Sequence, residues 1–227
     1  MTLDRTLIEQ LKSIAAELGG SLTGSRKTLT DAGFAHYALN LPGHLHHLYF
    51  AMAAQALPDA KNILELGTGL GESTIVLSSL FPAAHIYTID LPKEDREYIY
   101  SWRKRKAKYI ERFNKNIARP NVTFIESNTL FLPTLDLPDN FEFIWVDGGH
   151  TYPAVAWDTM YAYGHLAAGG FMFMHDYSLD PSLNLQVKKV VDYMTGRIKE
   201  KILILPCCSN LKISEHAKTV CIRKGIQ

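Results

Sequence analysis

The stretch Glu65-Leu-Gly-Thr-Gly-Leu-Gly71 decides the fold, because it joins a short apolar run to a segment with helical spacing. The apolar run, Asn62–Leu66, is typical of a buried strand, and the following segment predicts a helix over residues 73–81 that Pro82 ends. Glycines at such a junction let the backbone turn tightly and approach a ligand closely. The positive end of the helix faces the same ligand. The stretch therefore predicts a ligand site at the end of a strand.

Strands continue to alternate with helices along the chain. Further strands are predicted at residues 84–90, 122–125, 141–146, 171–174, 201–205 and 219–223, and further helices at 93–117, 153–166 and 181–195. The alternation indicates an α/β fold with a Rossmann-like, doubly wound sheet of seven mostly parallel strands. The last two strands are joined by a stretch that need not be a helix, so they can pair as an antiparallel hairpin at one edge.

Residues 1–58 are predicted to form a helical extension or lid on a main domain of residues 59–227. Helical spacing covers residues 3–18 and 43–57. The segment between them, residues 19–42, is rich in Gly, Ser and Thr and is predicted as a loop or lid. The second helix is expected to be exposed or at an interface near the ligand mouth, and it carries three histidines: His44, His46 and His47.

The long gap between Asp90 and Val122 predicts a helical insertion at about residues 92–118, which would cap the substrate mouth. Three of its aromatic residues are then expected to touch the substrate: Tyr98, Tyr100 and Trp102. Basic and aromatic residues alternate over 103–115, which favours either a patch for an anionic substrate or RNA, or a solvated helix with an aromatic inner face. The net charge of only +1 favours the solvated helix.

The composition limits the classes of partner. Hydrophobic residues make up 47% and charged residues 21% of the 227 residues, which is the balance of an ordinary globular domain. No apolar run approaches the roughly 20 residues that span a bilayer, and the first residues lack the pattern of a signal peptide. Three cysteines are too few for a disulfide framework. We therefore expect a cytoplasmic protein with no membrane partner and no nucleic-acid partner.

Acidic residues at two strand ends indicate the kind of ligand. The glycine spacing is G-x-G-x-G, whereas the dinucleotide fingerprint is G-x-G-x-x-G, and Glu72 at the last fingerprint position would repel a pyrophosphate. A nicotinamide enzyme is therefore the least favoured alternative. Asp90 at the end of the next strand can accept two hydrogen bonds from ribose hydroxyls. Glu65 can receive a cationic amino-acid end, directly or through water.

These residues resemble a known family. The segment Ile63–Asp90 resembles the first two binding motifs of class I S-adenosylmethionine-dependent methyltransferases, and Phe124–Asn128 resembles their third-strand motif. The segments Val146–Tyr152 and His175–Tyr177 resemble the D-G-x-H-x-Y and H-D-Y motifs of a subgroup related to small-molecule O-methyltransferases. Many members have Asp where Asn128 stands, and Asn can still hydrogen-bond the adenine edge through its amide oxygen.

The resemblance implies S-adenosylmethionine as the cofactor. The residues that it places around the cofactor are Glu65, Gly67, Thr68, Gly69, Ser73, Asp90, Leu91, Ser127, Asn128 and Asp147. It implies methylation of a small-molecule hydroxyl, on a sugar, polyketide or phenolic compound. Two alternatives stay open: an RNA methyltransferase that uses the basic helix 103–115, and a non-catalytic cofactor-binding protein. A homodimer is also open.

The second half of the sheet supplies the candidate catalytic residues. Asp147 and Asp176 end strands that are expected to be neighbours, so they can share a hard divalent cation such as Mg²⁺, which the resemblance also implies. The third ligand is then missing or is His150; alternatively, both acids are hydrogen-bonded without a metal. His150 is predicted to be the general base, although it can instead bond a loop carbonyl. His175 is expected to point to the other face of the strand end.

Overall fold

The computed structural model describes residues 5–38, 45–100, 106–183, 186–206 and 218–225. The helices in these ranges are α1 Arg5–Glu17, α2 Leu22–Asp31, α3 Leu45–Ala56, α4 Glu72–Leu80, α5 Lys93–Tyr100, α6 Lys106–Ile117, α7 Ala154–Gly164 and α8 Val187–Met194, with short 3-10 helices at Thr129–Thr134 and Pro181–Leu183. The strands are β1 Asn62–Leu66, β2 His85–Asp90, β3 Val122–Glu126, β4 Phe141–Val146, β5 Leu166–Tyr177, β6 Ile202–Pro206 and β7 Lys218–Arg223. None of the described helices is long and apolar enough to cross a membrane.

The seven strands form one sheet in the order β3-β2-β1-β4-β5-β7-β6. The first five are mutually parallel, and β7 runs antiparallel to both β5 and β6. The predicted α/β class, the seven strands and the antiparallel carboxyl-terminal pair are confirmed. The carboxyl ends of β1, β2, β4 and β5 therefore meet at one edge, where an open sheet of this kind binds ligands.

Helices cover both faces of the sheet. One core combines buried residues of α1 to α4 with side chains of the central strands, among them Leu11, Tyr49, Phe143 and Phe173. The other core lies under α7 and α8. The hydroxyl of Tyr49 also donates to the carbonyl of Pro206 at 2.8 Å, which ties α3 to the edge strand. The amino-terminal helices thus share their core with the sheet, and a division of the chain at residue 58 stays a prediction.

Two predictions about the amino-terminal segment are wrong. Residues 22–31, predicted as loop, form helix α2, because Ser21 caps it by accepting from the Gly24 N–H and Gln55 of α3 donates to the Ser25 hydroxyl at 2.6 Å. Helix α3 is buried rather than exposed, since its residues pack all round against the sheet and α2. His46 and His47 are only 6% and 0% exposed. His44 lies outside the described residues.

The insertion is described on both sides of a short gap. Helices α5 and α6 cover Lys93–Tyr100 and Lys106–Ile117, and residues 101–105 between them lie outside the described residues, so a single helix over 93–117 stays a prediction. The side chains of Tyr98, Tyr100 and Trp102 lie outside them as well, so their expected contact with a substrate stays a prediction. Strand β5 is longer than the predicted 171–174 and runs to Tyr177.

Candidate active site at the carboxyl edge of the sheet

The glycine turn fits tightly against the end of β4. The N–H of Gly67 donates to the carbonyl of Ile89, and the N–H of Asp147 donates to the carbonyl of Leu66, both at 2.8 Å. Gly67 has φ +95°, and a Cβ there would stand 2.3 Å from the carbonyl oxygen of Asp147. Only glycine can therefore occupy this position, as the sequence predicts for a turn with close backbone approach.

Asp90 lies at the tip of β2 and supports the turn. One carboxylate oxygen accepts from the N–H of Gly69 at 2.8 Å, and the other accepts from the N–H of Leu91 at 2.7 Å. Burial raises the pKa of Asp90, and these two N–H donors partly offset that rise. Each oxygen keeps a second lone pair, so the carboxylate can still accept from ribose hydroxyls.

Glu65 is fully buried beneath the turn, so it has no direct contact with solvent. Its Oε2 accepts from the hydroxyls of Thr74 and Thr88, each at 2.5 Å, and Thr68 is hydrogen-bonded to Thr88 at 2.7 Å. Burial raises the pKa of Glu65 to about 8, although both hydroxyl donors lower it. Its Oε1 is buried and has no hydrogen-bond partner among the described residues.

Helix α4 presents its positive end to the turn. Gly71 precedes the helix with φ +70° and contributes no side-chain cap, so the first N–H groups are not capped by this residue. Ser73 lies in this first turn, with its hydroxyl 3.3 Å from Nε2 of His47. Glu72 pairs with Arg112 of α6 and so is held away from a ligand that approaches the turn.

The end of β3 lies beside the turn, but Asn128 already has a structural partner. The Ser127 N–H donates to the carbonyl of Asp90 at 2.9 Å, and the Ser127 hydroxyl donates to the carbonyl of Asn128 at 3.2 Å. The amide oxygen of Asn128 accepts from the N–H of Leu130 at 3.0 Å and caps the short helix there. The same oxygen was predicted to reach the adenine edge, and that role now depends on its second lone pair.

Two aspartates and two histidines form a polar cluster at the ends of β4 and β5. Nε2 of His150 lies 3.4 Å from Oδ1 of Asp147 and 3.2 Å from Oδ2 of Asp176. Nδ1 of His175 lies 3.2 Å from Oδ1 of Asp147 and 3.1 Å from Oδ1 of Asp176. The four side chains are 20–30% exposed, so solvent reaches the cluster. The structure thus brings the three predicted catalytic residues together.

His175 joins this cluster, so the prediction that it points to the other face is wrong. The pairing of β5 with β7 shifts register between Met174 and Tyr177, and Asp176 has φ +54°, a value rare outside glycine. The irregularity breaks the alternation of the strand, and both His175 and Asp176 lie at the same edge. Backbone strain of this kind is concentrated at functional sites.

Aromatic rings packed against His175, on one side of the cluster, were not predicted from the sequence. The ring of His46 stacks on Trp145 with centroids 5.2 Å apart, and both rings meet His175 edge-on at 5.2 and 5.5 Å. Helix α3 is apolar all round near His46, and that pattern is the signal that predicts burial.

The cluster favours charged groups. Burial opposes ionisation of Asp147, but the charge of His175 and hydrogen bonds from both histidines hold the pKa of Asp147 far below its usual range. Burial alone would lower the pKa of His150, but its hydrogen bond to Asp147 and the charge of Asp176 raise that pKa overall. The pKa of Asp176 is lowered: burial opposes ionisation, but the hydrogen bond and charge of His175 outweigh it. The raised pKa makes the neutral imidazole of His150 a stronger base towards a bound hydroxyl, and the lowered pKa values keep both carboxylates ionised beside it.

The donor set mixes oxygen with nitrogen. Mg²⁺ prefers oxygen ligands, which it takes from one or two carboxylates and from waters. Here an imidazole nitrogen lies close to both carboxylates on either side, so an ion between Asp147 and Asp176 would also meet His150 and His175. Imidazole donors suit zinc, iron or copper better than Mg²⁺. The cation held by Asp147 and Asp176 stays a prediction.

Asp158 of α7 lies behind the loop that follows β4. It is fully buried, and a Cβ on Gly148 would come within 3.0 Å of its Oδ2. Burial raises the pKa of Asp158 to about 6. This buried carboxyl group packs against the backbone of the loop that carries His150.

A separate cavity of about 320 Å³ lies between α5, α6 and β3, beside Gly69. Arg96 forms its polar wall: the guanidinium lies 4.5 Å from the ring centre of Phe113 and 4.7 Å from that of Phe124, and pairs with Glu126 at 2.5 Å. Phe113 is buried on the inner face of α6, which supports the solvated-helix interpretation of the basic segment. Residues 103–105 and the Lys106 side chain lie outside the described residues.

The chain is similar to known methyltransferases in sequence and in fold. Residues 64–177, half of the chain, match a family model described as a methyltransferase domain. No curated protein matches the sequence. Among solved structures, the O-methyltransferase TomG from Streptomyces achromogenes, involved in tomaymycin synthesis and solved in complex with SAM, is 18% identical, with 90% of this chain and 89% of that chain covered and a TM-score of 0.56.

Two other solved structures share the fold. The O-methyltransferase from Bacillus cereus in complex with SAH is 16% identical, with 89% and 91% of the two chains covered and a TM-score of 0.54. The N-methyltransferase NodS from Bradyrhizobium japonicum is 15% identical, with 80% and 95% covered and a TM-score of 0.54. At these identities the likeness shows the fold alone.

Proposed function

The chain belongs to the methyltransferase-domain family, and from this premise we propose that it transfers a methyl group from S-adenosylmethionine to an oxygen of a small molecule. One observation carries the proposal: the glycine turn is locked against the backbone of Asp147, which is also a member of the polar cluster. A cofactor on the turn and an acceptor at the cluster would therefore lie next to each other.

The residues around the turn fit the cofactor. The close approach at Gly67, the uncapped first turn of α4 and the Asp90 carboxylate suit an amino-acid carboxylate and a ribose. The proposed binding residues are Glu65, Gly67, Thr68, Gly69, Ser73, Asp90, Leu91, Ser127, Asn128 and Asp147. Glu65 would act mainly by fixing the turn, because it is fully buried. When bound, S-adenosylmethionine supplies a methyl group on an electrophilic sulfonium.

The polar cluster supplies what a hydroxyl acceptor requires. A hydroxyl must lose its proton as it becomes a nucleophile, and we assign Nε2 of His150 to accept that proton. The N–H formed there would face the carboxylates of Asp147 and Asp176, which contact the same nitrogen and stabilise the imidazolium. The two carboxylates would also accept hydrogen bonds from further hydroxyls of the acceptor. The chain has to align the acceptor oxygen and exclude water, and it needs no covalent nucleophile.

Alanine substitutions of Asp147 and Asp90, at the carboxyl ends of β4 and β2, test which residue serves methyl transfer and which serves cofactor binding. We expect Asp147→Ala to keep S-adenosylmethionine affinity within about 3-fold, because the glycine turn packs against the Asp147 backbone, which alanine retains. We expect it to lower methyl transfer at least about 100-fold, since it disables the proton-accepting cluster. Asp90→Ala should lose cofactor affinity. Asp192→Ala is the control, because Asp192 is a half-exposed partner of Lys188 on α8. The measurements are cofactor titration by calorimetry and methyl transfer to a panel of sugars, phenols and polyketides.

Equal loss of cofactor affinity in Asp147→Ala and Asp90→Ala would overturn this assignment. Cofactor binding without transfer to any acceptor in the panel would favour the non-catalytic alternative. A cytoplasmic location belongs to the same proposal, and the free, buried thiol of Cys221 supports it.

A further inference from the structure

We infer that Asp147, His150 and His175 form a binding site for a borderline transition-metal ion such as Zn²⁺, and that the site discriminates against Mg²⁺. The inference goes beyond the proposed function, because ion binding requires neither the cofactor nor an acceptor. It also includes His175, which the predicted aspartate pair leaves out.

The spacing of the donor atoms matches coordination of one ion. One ligand atom from each of Asp147, His150 and His175 lies within 4.8 Å of the others. Oδ1 of Asp147 is 3.4 Å from Nε2 of His150 and 3.2 Å from Nδ1 of His175. Ligands bound to Zn²⁺ at about 2.0–2.1 Å stand about 2.8–3.4 Å apart for bond angles between octahedral and tetrahedral values. Small rotations of the side chains would thus place the three atoms around one centre.

The chemistry of the donors selects the class of ion. Two imidazoles and one carboxylate form a set typical of catalytic zinc sites with three protein ligands and an open fourth position. Imidazole suits zinc, iron and copper, whereas Mg²⁺ prefers oxygen. The histidines are 20% and 29% exposed, so an ion can enter from solvent.

Asp176 completes the surroundings of the site. Its two carboxylate oxygens contact different imidazoles, Oδ2 with His150 and Oδ1 with His175. These are the same nitrogens that would bind the ion, so Asp176 adds a second negative charge close to it. The stacked rings of His46 and Trp145 hold His175 from the other side.

Ion binding and proton uptake need the same lone pair on Nε2 of His150. Turnover alone would therefore be ambiguous, and the test must detect the ion directly. Chelator-treated protein is titrated with Zn²⁺ and with Mg²⁺ by calorimetry, and with Co²⁺ while the visible d–d bands are recorded. We expect one Zn²⁺ per chain, bound at least about 100-fold more tightly than Mg²⁺, and d–d bands of low-symmetry Co²⁺.

Histidine variants locate the ion. We expect His175→Ala to weaken Zn²⁺ binding at least about 10-fold, and His150→Ala to do the same if the first variant fails to fold. His85→Ala is the matched control, because His85 lies at the amino end of β2, bonded to Thr123. Mg²⁺ binding as tight as that of Zn²⁺, or Zn²⁺ binding that survives loss of His175 and of His150, would overturn the inference. Zn²⁺ binding by a protein without S-adenosylmethionine affinity would support it and count against the proposed function.

Discussion

At the scale of single residues, Gly67 holds the glycine turn against the backbone of Asp147, a member of the polar cluster. Its Cα lies so close to Asp147 that an added Cβ would stand 2.3 and 2.5 Å from backbone atoms of that residue, and its φ of +95° is unfavourable for any other side chain. Backbone atoms cannot rotate away as a flexible side chain can. The position therefore fixes the distance between the turn, where we propose that the cofactor binds, and the polar cluster.

We expect Gly67→Ala to lower the free energy of unfolding by roughly 2–4 kcal/mol and to abolish cofactor binding, because backbone must shift to admit the methyl group. Chemical denaturation and calorimetry with S-adenosylmethionine measure the two effects. Gly164→Ala is the control: a Cβ there meets no atom within 4 Å, so this helix-end substitution should be neutral or slightly stabilising. Equal free energies of unfolding of Gly67→Ala and Gly164→Ala would contradict the close packing of Gly67 against Asp147.

At the scale of elements, Arg96 connects the insertion to the sheet. It extends from α5 over Phe113 of α6 and Phe124 of β3, and its guanidinium pairs with Glu126. The side chain is only 11% exposed, whereas Arg112 of α6, paired with Glu72, is 55% exposed. The buried arginine therefore contributes packing as well as charge.

We expect Arg96→Ala to destabilise the protein by roughly 1–3 kcal/mol, since it removes both ring contacts and leaves the cavity beside Gly69 larger. Arg96→Lys should recover less than half of the loss, because an ammonium cannot stack as a planar guanidinium does. Arg112→Ala should change stability by less than about 0.5 kcal/mol, as surface pairs do. Urea denaturation of the three variants gives these differences, and equal effects of the Arg96 and Arg112 substitutions would contradict the account.

The elements also show where sequence patterns suffice. Strand β1 and its turn were predicted from local pattern, because an apolar run followed by glycines has few alternative structures. Helix α2 was not, since its Gly-, Ser- and Thr-rich sequence is helical only with the Ser21 cap and the contact from Gln55. The irregularity in β5 that places His175 in the polar cluster lies where the pairing with β7 shifts register, and no local sequence pattern indicates it.

At the scale of the whole molecule, topology brings distant residues together. Asp90, Asp147 and Asp176 lie far apart in sequence. Because parallel strands end at one edge, their position at the same edge of the sheet could be predicted from strand order alone. The partners of each side chain could not be predicted. The hydrogen bonds of Glu65 to Thr74 and Thr88 are an example, and its predicted role towards the cofactor stays a prediction. The predicted role of the insertion as a cap over the substrate mouth stays a prediction.

Calorimetric titration of S-adenosylmethionine into the wild-type protein and Asp90→Ala tests the central claim most directly. The account predicts one cofactor molecule bound per chain with micromolar affinity in the wild type. It predicts a loss of at least about 10-fold in Asp90→Ala, because the ribose and the Gly69 turn both depend on that carboxylate. Absence of binding heat in the folded wild-type protein, or equal affinity in the two proteins, would contradict it.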